Sequence, residues 1–288
     1  MPSWPGSTAL WSVVESLDVK VLRPASLDEA LQMLASADAP LMPIAGGTDL
    51  LVSWHHVDRN GQCFLDLSRL DELRPYRLTS DELELGALTT YWNVIRSAEI
   101  TRAFPLLAQA ARLVGAIQIQ TRGTWTGNIG NGSPAADGVP VMMAYDATVV
   151  LRSRDGTTEV PLDRYYTGYK QTVRRPDQLI TAIRLPRRPR DVEWFEKVGA
   201  RNAQAIAKLG VAVVRDPLGW RIAAHSVAPY VCRCRTLEQA LNAGRSFASP
   251  ADVLAALRPD ISPIDDIRST ATYRERVLSR ILYYRLAE

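Results

Sequence analysis

Apolar residues in the first third of the chain occur in short β-type runs separated by helical spacings. Residues 19–22 predict a strand, and the capping box Ser26-Leu27-Asp28-Glu29 predicts the start of a helix. Apolar positions then recur every three to four residues, which extends this helix to about Ser36. Residues 41–45, 64–67 and 82–85 predict further strands, and residues 106–114 predict a helix with Pro105 at its first turn.

The middle of the chain predicts a helix followed by antiparallel strands. Residues 140–145 form an apolar helical run. Residues 147–153 and 160–162 predict a hairpin around a turn at 154–157, and residues 179–185 predict another strand.

A Pro- and Arg-rich segment, residues 186–190, predicts a solvated linker, although its arginines also leave contact with a partner open. After it, residues 194–198, 205–214 and 220–227 predict a three-stranded meander with a turn at 216–219. The remaining pattern predicts helices over residues 236–243, 250–257 and 273–286.

Two glycine-rich stretches interrupt this pattern. One is Ala45-Gly46-Gly47-Thr48-Asp49, directly after a predicted strand, and the other is the loop of residues 121–137, with four glycines. Glycines and short polar side chains leave backbone N–H groups accessible, which is what a pyrophosphate requires. The first stretch alone could equally be a plain turn. Together, the two stretches predict a clamp for one phosphate-bearing cofactor.

Composition restricts the class of protein. The chain has 288 residues, enough for two domains, with 47% hydrophobic and 23% charged residues. The net charge of +3 and the lack of a basic block with interleaved aromatics disfavour nucleic acid as a partner. No 18-residue apolar run predicts a membrane span, and no signal peptide is expected at the start. Three cysteines favour a reducing, cytoplasmic compartment.

Several kinds of site are disfavoured by the motifs. Cys63, Cys232 and Cys234 are too few for a four-cysteine cluster, and His55 and His56 are adjacent, so we expect no metal site. No Gly-x-Ser-x-Gly elbow suggests a hydrolase. Neither the P-loop nor the Gly-x-Gly-x-x-Gly fingerprint occurs, so the two stretches belong to another class of phosphate site.

The residues of both stretches resemble the cofactor loops of a known protein family. Residues 43–51, Pro-Ile-Ala-Gly-Gly-Thr-Asp-Leu-Leu, resemble the first FAD loop of the flavoprotein subunits of molybdenum hydroxylases, the family of xanthine and carbon monoxide dehydrogenases. Residues 122–137, Arg-Gly-Thr-Trp-Thr-Gly-Asn-Ile-Gly-Asn-Gly-Ser-Pro-Ala-Ala-Asp, resemble the second loop. Residues 176–180 and 197–201 resemble later segments, and the similarity extends over about residues 19–286.

The resemblance implies an α+β fold. A two-lobed FAD-binding domain of the vanillyl-alcohol-oxidase type would occupy residues 19–187, with lobes at about 19–75 and 76–187, after an N-terminal tail at 1–18. A smaller α+β domain with a three-stranded antiparallel sheet and helices would occupy residues 191–288.

The resemblance also implies residue roles. Residues 42–49 would wrap the pyrophosphate, and residues 123–128 would hold its other side. Asp137 would accept hydrogen bonds from the adenosine part of FAD, and Ile180 would pack near the cofactor. Lys197 would lie by the isoalloxazine ring, with Ile206 flanking it. The implied cofactor-binding residues are Met42, Pro43, Ile44, Ala45, Gly46, Gly47, Thr48, Asp49, Gly123, Thr124, Trp125, Thr126, Gly127, Asn128, Asp137, Ile180 and Lys197. No catalytic residue and no metal ligand are assigned in this chain.

One position departs from the family pattern, which usually has two glycines where this chain has Thr126-Gly127. A β-branched residue is costly if the position requires a positive φ. If it does not, the Thr126 hydroxyl could add a bond to phosphate. FAD affinity depends on which alternative holds.

The implied function is electron transfer. FAD in this chain would take electrons from two [2Fe–2S] clusters of a small partner chain and pass them to NAD or another acceptor. A large partner with a molybdenum cofactor would hydroxylate a purine, another N-heterocycle or an aldehyde, in a heterotrimer, single or doubled. Two alternatives stay open: a self-contained flavin oxidoreductase of the same fold, and a scaffold subunit that has lost FAD.

Overall fold

The computed structural model describes residues 18–202 and 204–286, so the predicted tail at 1–18 lies, except for Asp18, outside the described residues. The strands are β1 (Lys20–Leu22), β2 (Leu41–Ile44), β3 (Cys63–Asp66), β4 (Tyr76–Leu78), β5 (Glu82–Gly86), β6 (Thr148–Ser153), β7 (Gly156–Pro161), β8 (Tyr166–Gly168), β9 (Gln171–Thr172), β10 (Leu179–Pro186), β11 (Val192–Val198), β12 (Leu209–Asp216), β13 (Gly219–His225) and β14 (Cys232–Arg233). The helices are α1 (Leu27–Ala35), α2 (Tyr91–Arg96), α3 (Ala98–Ala103), α4 (Pro105–Leu113), α5 (Ile117–Gln120), α6 (Trp125–Asn131), α7 (Gly138–Ala144), α8 (Arg235–Asn242), α9 (Pro250–Leu257) and α10 (Ala271–Leu286). We call residues 18–186 the N-terminal domain and residues 192–286 the C-terminal domain.

The first lobe of the N-terminal domain is a small parallel sheet in the order β1-β3-β2, covered by α1. Ser26 caps α1, since its Oγ accepts a hydrogen bond from the Glu29 N–H at 3.1 Å. The Glu29 carboxylate accepts from the Ala25 N–H rather than from Ser26, so the predicted capping box is shifted by one residue. The buried leucines of α1 pack against Leu65 and Leu67, which fixes β2 and the loop that follows it.

The second lobe is a five-stranded antiparallel sheet in the order β4-β5-β10-β6-β7. The central strand β10 is almost entirely buried, and its register shifts between Ile180 and Ala182. Helices α2 to α7 supply the other half of the core, which includes the fully buried Trp125 and Ile129.

Part of the predicted second loop is a helix. Within residues 121–137, α6 forms because Thr124 Oγ1 accepts from the Gly127 N–H at 3.0 Å at its start. Gly132, with a left-handed φ of 62°, ends it. The pattern of four glycines disfavoured a helix here, but burial of Trp125 and Ile129 outweighs the low helix propensity of glycine.

The basic segment between the domains is packed rather than solvated as predicted. Arg188 forms an ion pair with Asp146 at 3.0 Å. Arg190 lies over the rings of Phe104 and Tyr145, with its guanidinium carbon 5.0 and 4.7 Å from their centroids. These arginines therefore attach the linker to the N-terminal domain.

The C-terminal domain is an antiparallel sheet in the order β11-β12-β13-β14, so the two-residue strand β14 extends the predicted three-stranded meander. Residues of β12 alternate between two cores. Val211 and Val213 face α8, α9 and α10, whereas Ala212 and Val214 join the core of the N-terminal domain. The sheet thus lies between the two domains' helices, and its edge reaches the glycine-rich segments.

Candidate functional site

The two glycine-rich segments are in direct contact. A Cβ atom on Gly46 would overlap the carbonyl oxygen of Arg122, so only glycine allows this approach. One on Gly123 would lie 3.3 Å from Thr48 Oγ1. Gly47 has a φ of +71°, which turns the chain away from β2. The loop after β2 and the segment before α6 therefore form one continuous wall.

This wall presents backbone donors. Among the described residues, no acceptor takes a hydrogen bond from the N–H groups of Gly46, Gly47 or Thr48. The preceding residues Met42, Pro43 and Ile44 belong to β2, whose parallel pairing with β3 holds the loop in place. Ala45 and Thr48 are half-buried, and Asp49 is exposed. Free N–H groups on a glycine turn are the donors that suit an anionic phosphate.

The first turn of α6 contributes mostly backbone. Trp125 is fully buried and packs edge-on against Tyr91, with ring centroids 4.9 Å apart, so its side chain faces the core. Thr124 Oγ1 is used as the helix cap. Most N–H groups of this turn also donate within the chain, so the turn offers a ligand few donors of its own.

Thr126 lies inside α6 and is not among the residues with positive φ, so the strain considered from the sequence does not arise. Its hydroxyl is buried and donates to the carbonyl oxygen of Ala87 at 2.5 Å. The alternative, a direct bond from this hydroxyl to phosphate, is therefore not what this geometry provides.

A buried ion pair closes the other side of the site. Lys197 Nζ, on β11, donates to Asp137 Oδ2 and to the Leu113 carbonyl oxygen, both at 2.8 Å. Burial raises the pKa of Asp137 to about 6, against the opposing effect of the Lys197 cation. Burial also raises the pKa of Tyr91, and the nearby Asp137 adds to this shift. The pair joins the residue before α7 of one domain to β11 of the other.

Two further acceptors near this pair lack partners. Asp137 Oδ1 and Asn128 Oδ1 are buried and accept no hydrogen bond from any described residue. Gly138 lies beside Asn128, and a Cβ there would be 3.1 Å from Asn128 Oδ1. Buried acceptors without donors are costly, so these atoms fit a ligand that carries hydroxyl or amide donors.

The sugar hydroxyls and phosphates of FAD supply groups complementary to the free acceptors and to the free N–H groups, so the residues present fit this cofactor. Ile180 packs under the same segment, since its Cδ1 would be 3.6 Å from a Cβ on Gly130 of α6. A cleft of about 330 Å³ opens beside Lys197 and Leu113, and Ile206, 63% exposed, follows Ala205 at its edge.

Sequence reasoning missed His225 and Gly210. His225 is fully buried at the end of β13, and its Nε2 lies 3.6 Å from Asp137 Oδ1. A Cβ on Gly210 would overlap this nitrogen. A single histidine ending an apolar strand was the available signal, but nothing in the sequence links it to Asp137.

Other candidate groups lie elsewhere. His55 and His56 are in an exposed turn, and Cys63, Cys232 and Cys234 are free thiols. Across residues 18–202 and 204–286, no three His, Cys, Asp or Glu side chains cluster as metal ligands. In the same residues, no helix combines the length and apolar character needed to cross a bilayer.

Comparison with known proteins gives two family matches. The model for the FAD binding domain in molybdopterin dehydrogenase matches residues 17–188, and that for the CO dehydrogenase flavoprotein C-terminal domain matches residues 194–288.

Individual relatives match almost end to end. The chain is 30% identical to the xanthine dehydrogenase FAD-binding subunit of Escherichia coli O157:H7 over 261 residues, 88% of this chain and 89% of that one. It is 31% identical to the caffeine dehydrogenase subunit beta of Pseudomonas sp. (strain CBB1), with 90% of each covered. A solved structure of carbon monoxide dehydrogenase from Hydrogenophaga pseudoflava superposes with a TM-score of 0.83 at 29% identity, covering 92% of this chain and 95% of that one.

Proposed function

Since the chain belongs to the family of FAD-binding subunits of molybdenum hydroxylases, which includes xanthine and carbon monoxide dehydrogenases, we propose that it transfers electrons for a larger enzyme. It carries the FAD-binding domain of that family. The observation that carries the site assignment is the approach of Gly46 to Arg122, which places the free N–H groups of residues 46–48 directly against the segment before α6.

Each group has a role in holding FAD. The N–H groups of Gly46, Gly47 and Thr48 bind the pyrophosphate. The Asp137 carboxylate accepts hydrogen bonds from the ribose hydroxyls of the adenosine part. FAD held by these residues would supply one- and two-electron redox chemistry.

Asp137 and Lys197, which the resemblance assigned to opposite ends of FAD, are in contact. Lys197 Nζ and Asp137 Oδ2 are 2.8 Å apart, so a group that reaches one also reaches the other. We therefore assign Lys197 first as the counter-ion of Asp137, with its third N–H left for the cofactor. Its charge keeps the Asp137 carboxylate ionised and able to accept hydrogen bonds.

Partner chains supply the remaining chemistry in this proposal. A small chain with two [2Fe–2S] clusters delivers electrons, and a large chain with a molybdenum cofactor oxidises the substrate. Three cysteines in this chain are fewer than the eight that two such clusters require. NAD or another acceptor receives the electrons. We place the complex in the cytoplasm, where the free thiol of Cys63 stays reduced.

Several relatives favour a nitrogen heterocycle, rather than an aldehyde, as substrate of the complex. They include subunits of xanthine, caffeine and nicotinate dehydrogenases.

Co-purification from the native source with a large and a small chain supports the proposed complex. A monomeric chain that turns over a substrate alone contradicts it and favours a self-contained flavin oxidoreductase.

The FAD assignment is tested on the purified chain with the variant Gly46→Ala. We expect wild type to bind FAD, with its visible absorbance, and Gly46→Ala to lose most of this binding because the new Cβ separates the two segments. Gly130→Ala is the matched control, since its Cβ makes only an ordinary 3.6 Å contact. Titration with FAD measures both, and a wild-type chain that binds no FAD overturns the assignment.

A further inference from the structure

Beyond the two glycine-rich segments, the C-terminal domain contributes a buried histidine to the same site. His225 ends β13 and has no solvent exposure. Its Nε2 lies 3.6 Å from Asp137 Oδ1, and neither atom has a hydrogen-bond partner among the described residues. Two buried, complementary, unpaired atoms facing each other indicate a contact that a small adjustment of either side chain completes.

We propose that His225 is a positioning residue for FAD, which donates from Nε2 to Asp137 Oδ1 and holds that carboxylate for the cofactor. Being fully buried, it acts through Asp137 and not on FAD directly. The inference rests on the proposed role of Asp137 in FAD binding.

The hydroxyl beside the ring is compatible with the required tautomer. His225 Nδ1 is 3.1 Å from the hydroxyl of Ser226, which can donate to it and so leave the ring proton on Nε2. Complete burial, aided by the Lys197 cation, lowers the pKa of His225 to about 3, so the ring is neutral at ordinary pH. A neutral ring with its proton on Nε2 points its only N–H at Asp137.

Neighbouring residues leave space for the ring and hold the chain beside it in this position. Gly210, on β12, leaves the space that Nε2 occupies, since a Cβ there would overlap it. Ser226 has a φ of 61°, and its N–H donates to the Pro134 carbonyl oxygen at 2.7 Å. The residue after the histidine is therefore bonded to the segment that carries Asp137, which ties the end of β13 to the cofactor site.

Three groups share the carboxylate in this arrangement. Lys197 on β11 holds Oδ2, His225 on β13 faces Oδ1, and Tyr91 at the start of α2 is the third titratable group close to Asp137. Lys197 supplies charge, whereas His225 supplies a neutral donor in a fixed direction. Removal of the His225 N–H should leave the carboxylate held through Oδ2 only.

The test compares two substitutions that both remove the ring. The amide nitrogen of Gln can take the place of Nε2, so His225→Gln should keep FAD affinity close to that of wild type. His225→Met has a similar size but no donor, and should weaken FAD binding about tenfold, the effect of one hydrogen bond to a charged group. His56→Gln and His56→Met, in the exposed turn, are the controls and should change nothing.

A second readout needs no FAD. In the FAD-free chain, the carbon NMR signal of the Asp137 carboxyl group is identified by its loss in Asp137→Asn. This signal should titrate at higher pH in His225→Met than in wild type or His225→Gln. Nitrogen NMR of the wild type should show a pyrrole-type Nε2 and a pyridine-type Nδ1. The tautomer measurement uses the wild type alone, so it stands even if a variant fails to fold.

The outcomes are distinct. Equal loss of affinity in both variants indicates a purely structural role and overturns the inference, as does an unchanged Asp137 titration or a pyridine-type Nε2. If the wild type binds no FAD, the proposed function fails, whereas the titration and the tautomer still test the contact between His225 and Asp137.

Discussion

Asp137 shows, at the scale of the residue, how one carboxylate can serve two domains. It is held by Lys197 of β11, 60 positions away in sequence, and faced by His225 of β13. The sequence identified Asp137 and Lys197 through resemblance but could not pair them, because a contact between distant positions depends on how the domains dock. It missed His225 altogether, since burial beside a carboxylate leaves no local pattern.

A pH dependence follows from this residue. Because burial raises the pKa of Asp137 from 3.8 to about 6, the carboxyl group is neutral below pH 6 and loses its role as acceptor. We expect the FAD dissociation constant to be constant above about pH 7 and to rise as pH falls below 6, by at most about tenfold per unit for one proton. FAD titrations between pH 5 and 8 measure this.

The effect on folding has the opposite sign. Between about pH 4 and 6 the folded chain binds a proton that the unfolded chain has released, so this group makes the free energy of unfolding decrease as pH rises through that window. Asp137→Asn should abolish both dependences. A wild-type affinity for FAD that stays flat down to pH 5 would show that Asp137 does not contact the cofactor as an anion.

At the scale of the element, α6 is the main difference between the predicted and the observed chain. Long periodic helices such as α1, α4, α9 and α10, and strands such as β10, follow from their apolar spacing. Helix α6 was missed because Gly127 and Gly130 lower its propensity, although Thr124 before it and Gly132 after it are recognisable caps. Short elements such as β8, β9 and β14 carry too few residues to show a period.

Thr126 tests what α6 contributes. Replacing it by glycine should not improve FAD binding, and should lower the free energy of unfolding by about 1–2 kcal/mol through helix propensity and the lost bond to Ala87. Thr126→Ser keeps the hydroxyl and Thr126→Val keeps the shape without it, which separates the two contributions. Urea unfolding and FAD titration are the measurements. Tighter FAD binding in Thr126→Gly would mean that the glycine usual in the family at this position contacts the cofactor.

At the scale of the whole molecule, the two domains are joined by buried charges as well as by apolar packing. Asp216 of β12 accepts from Arg221, and Arg188 of the linker approaches it at 3.5 Å. Arg221 in turn donates to the carbonyl oxygen of Ala144 at 2.8 Å, at the end of α7. The resemblance could imply two domains, but not this network, since each ion pair depends on their mutual orientation.

Breaking this network should be costly. Asp216→Asn leaves Arg221 buried without its charge partner, and should lower the free energy of unfolding by about 3–5 kcal/mol. Burial by itself would raise the pKa of Asp216, but the hydrogen bonds from Arg221 and Leu218 hold it below its ordinary value. This contribution is therefore present above pH 4 and is lost as pH falls through the lowered pKa.

The matched control is Asp191→Asn, which breaks an exposed pair with Arg215 next to the same sheet. Its urea midpoint should equal that of wild type. Similar midpoints for Asp216→Asn and Asp191→Asn would contradict a structural role for the buried pair.

The alternation along β12, with Val211 and Val213 facing one core and Ala212 and Val214 the other, has a consequence for how the chain can be divided. One face of this sheet packs on the helices of its own domain and the other completes the core of the N-terminal domain, so neither half made alone can cover its apolar surface. Besides the contacts of Arg188 and Arg190, the peptide between residues 186 and 192 keeps the two halves at high local concentration. After cleavage of the folded chain there, the two fragments would remain associated. Two separately synthesised fragments would have to associate before either became stable in water.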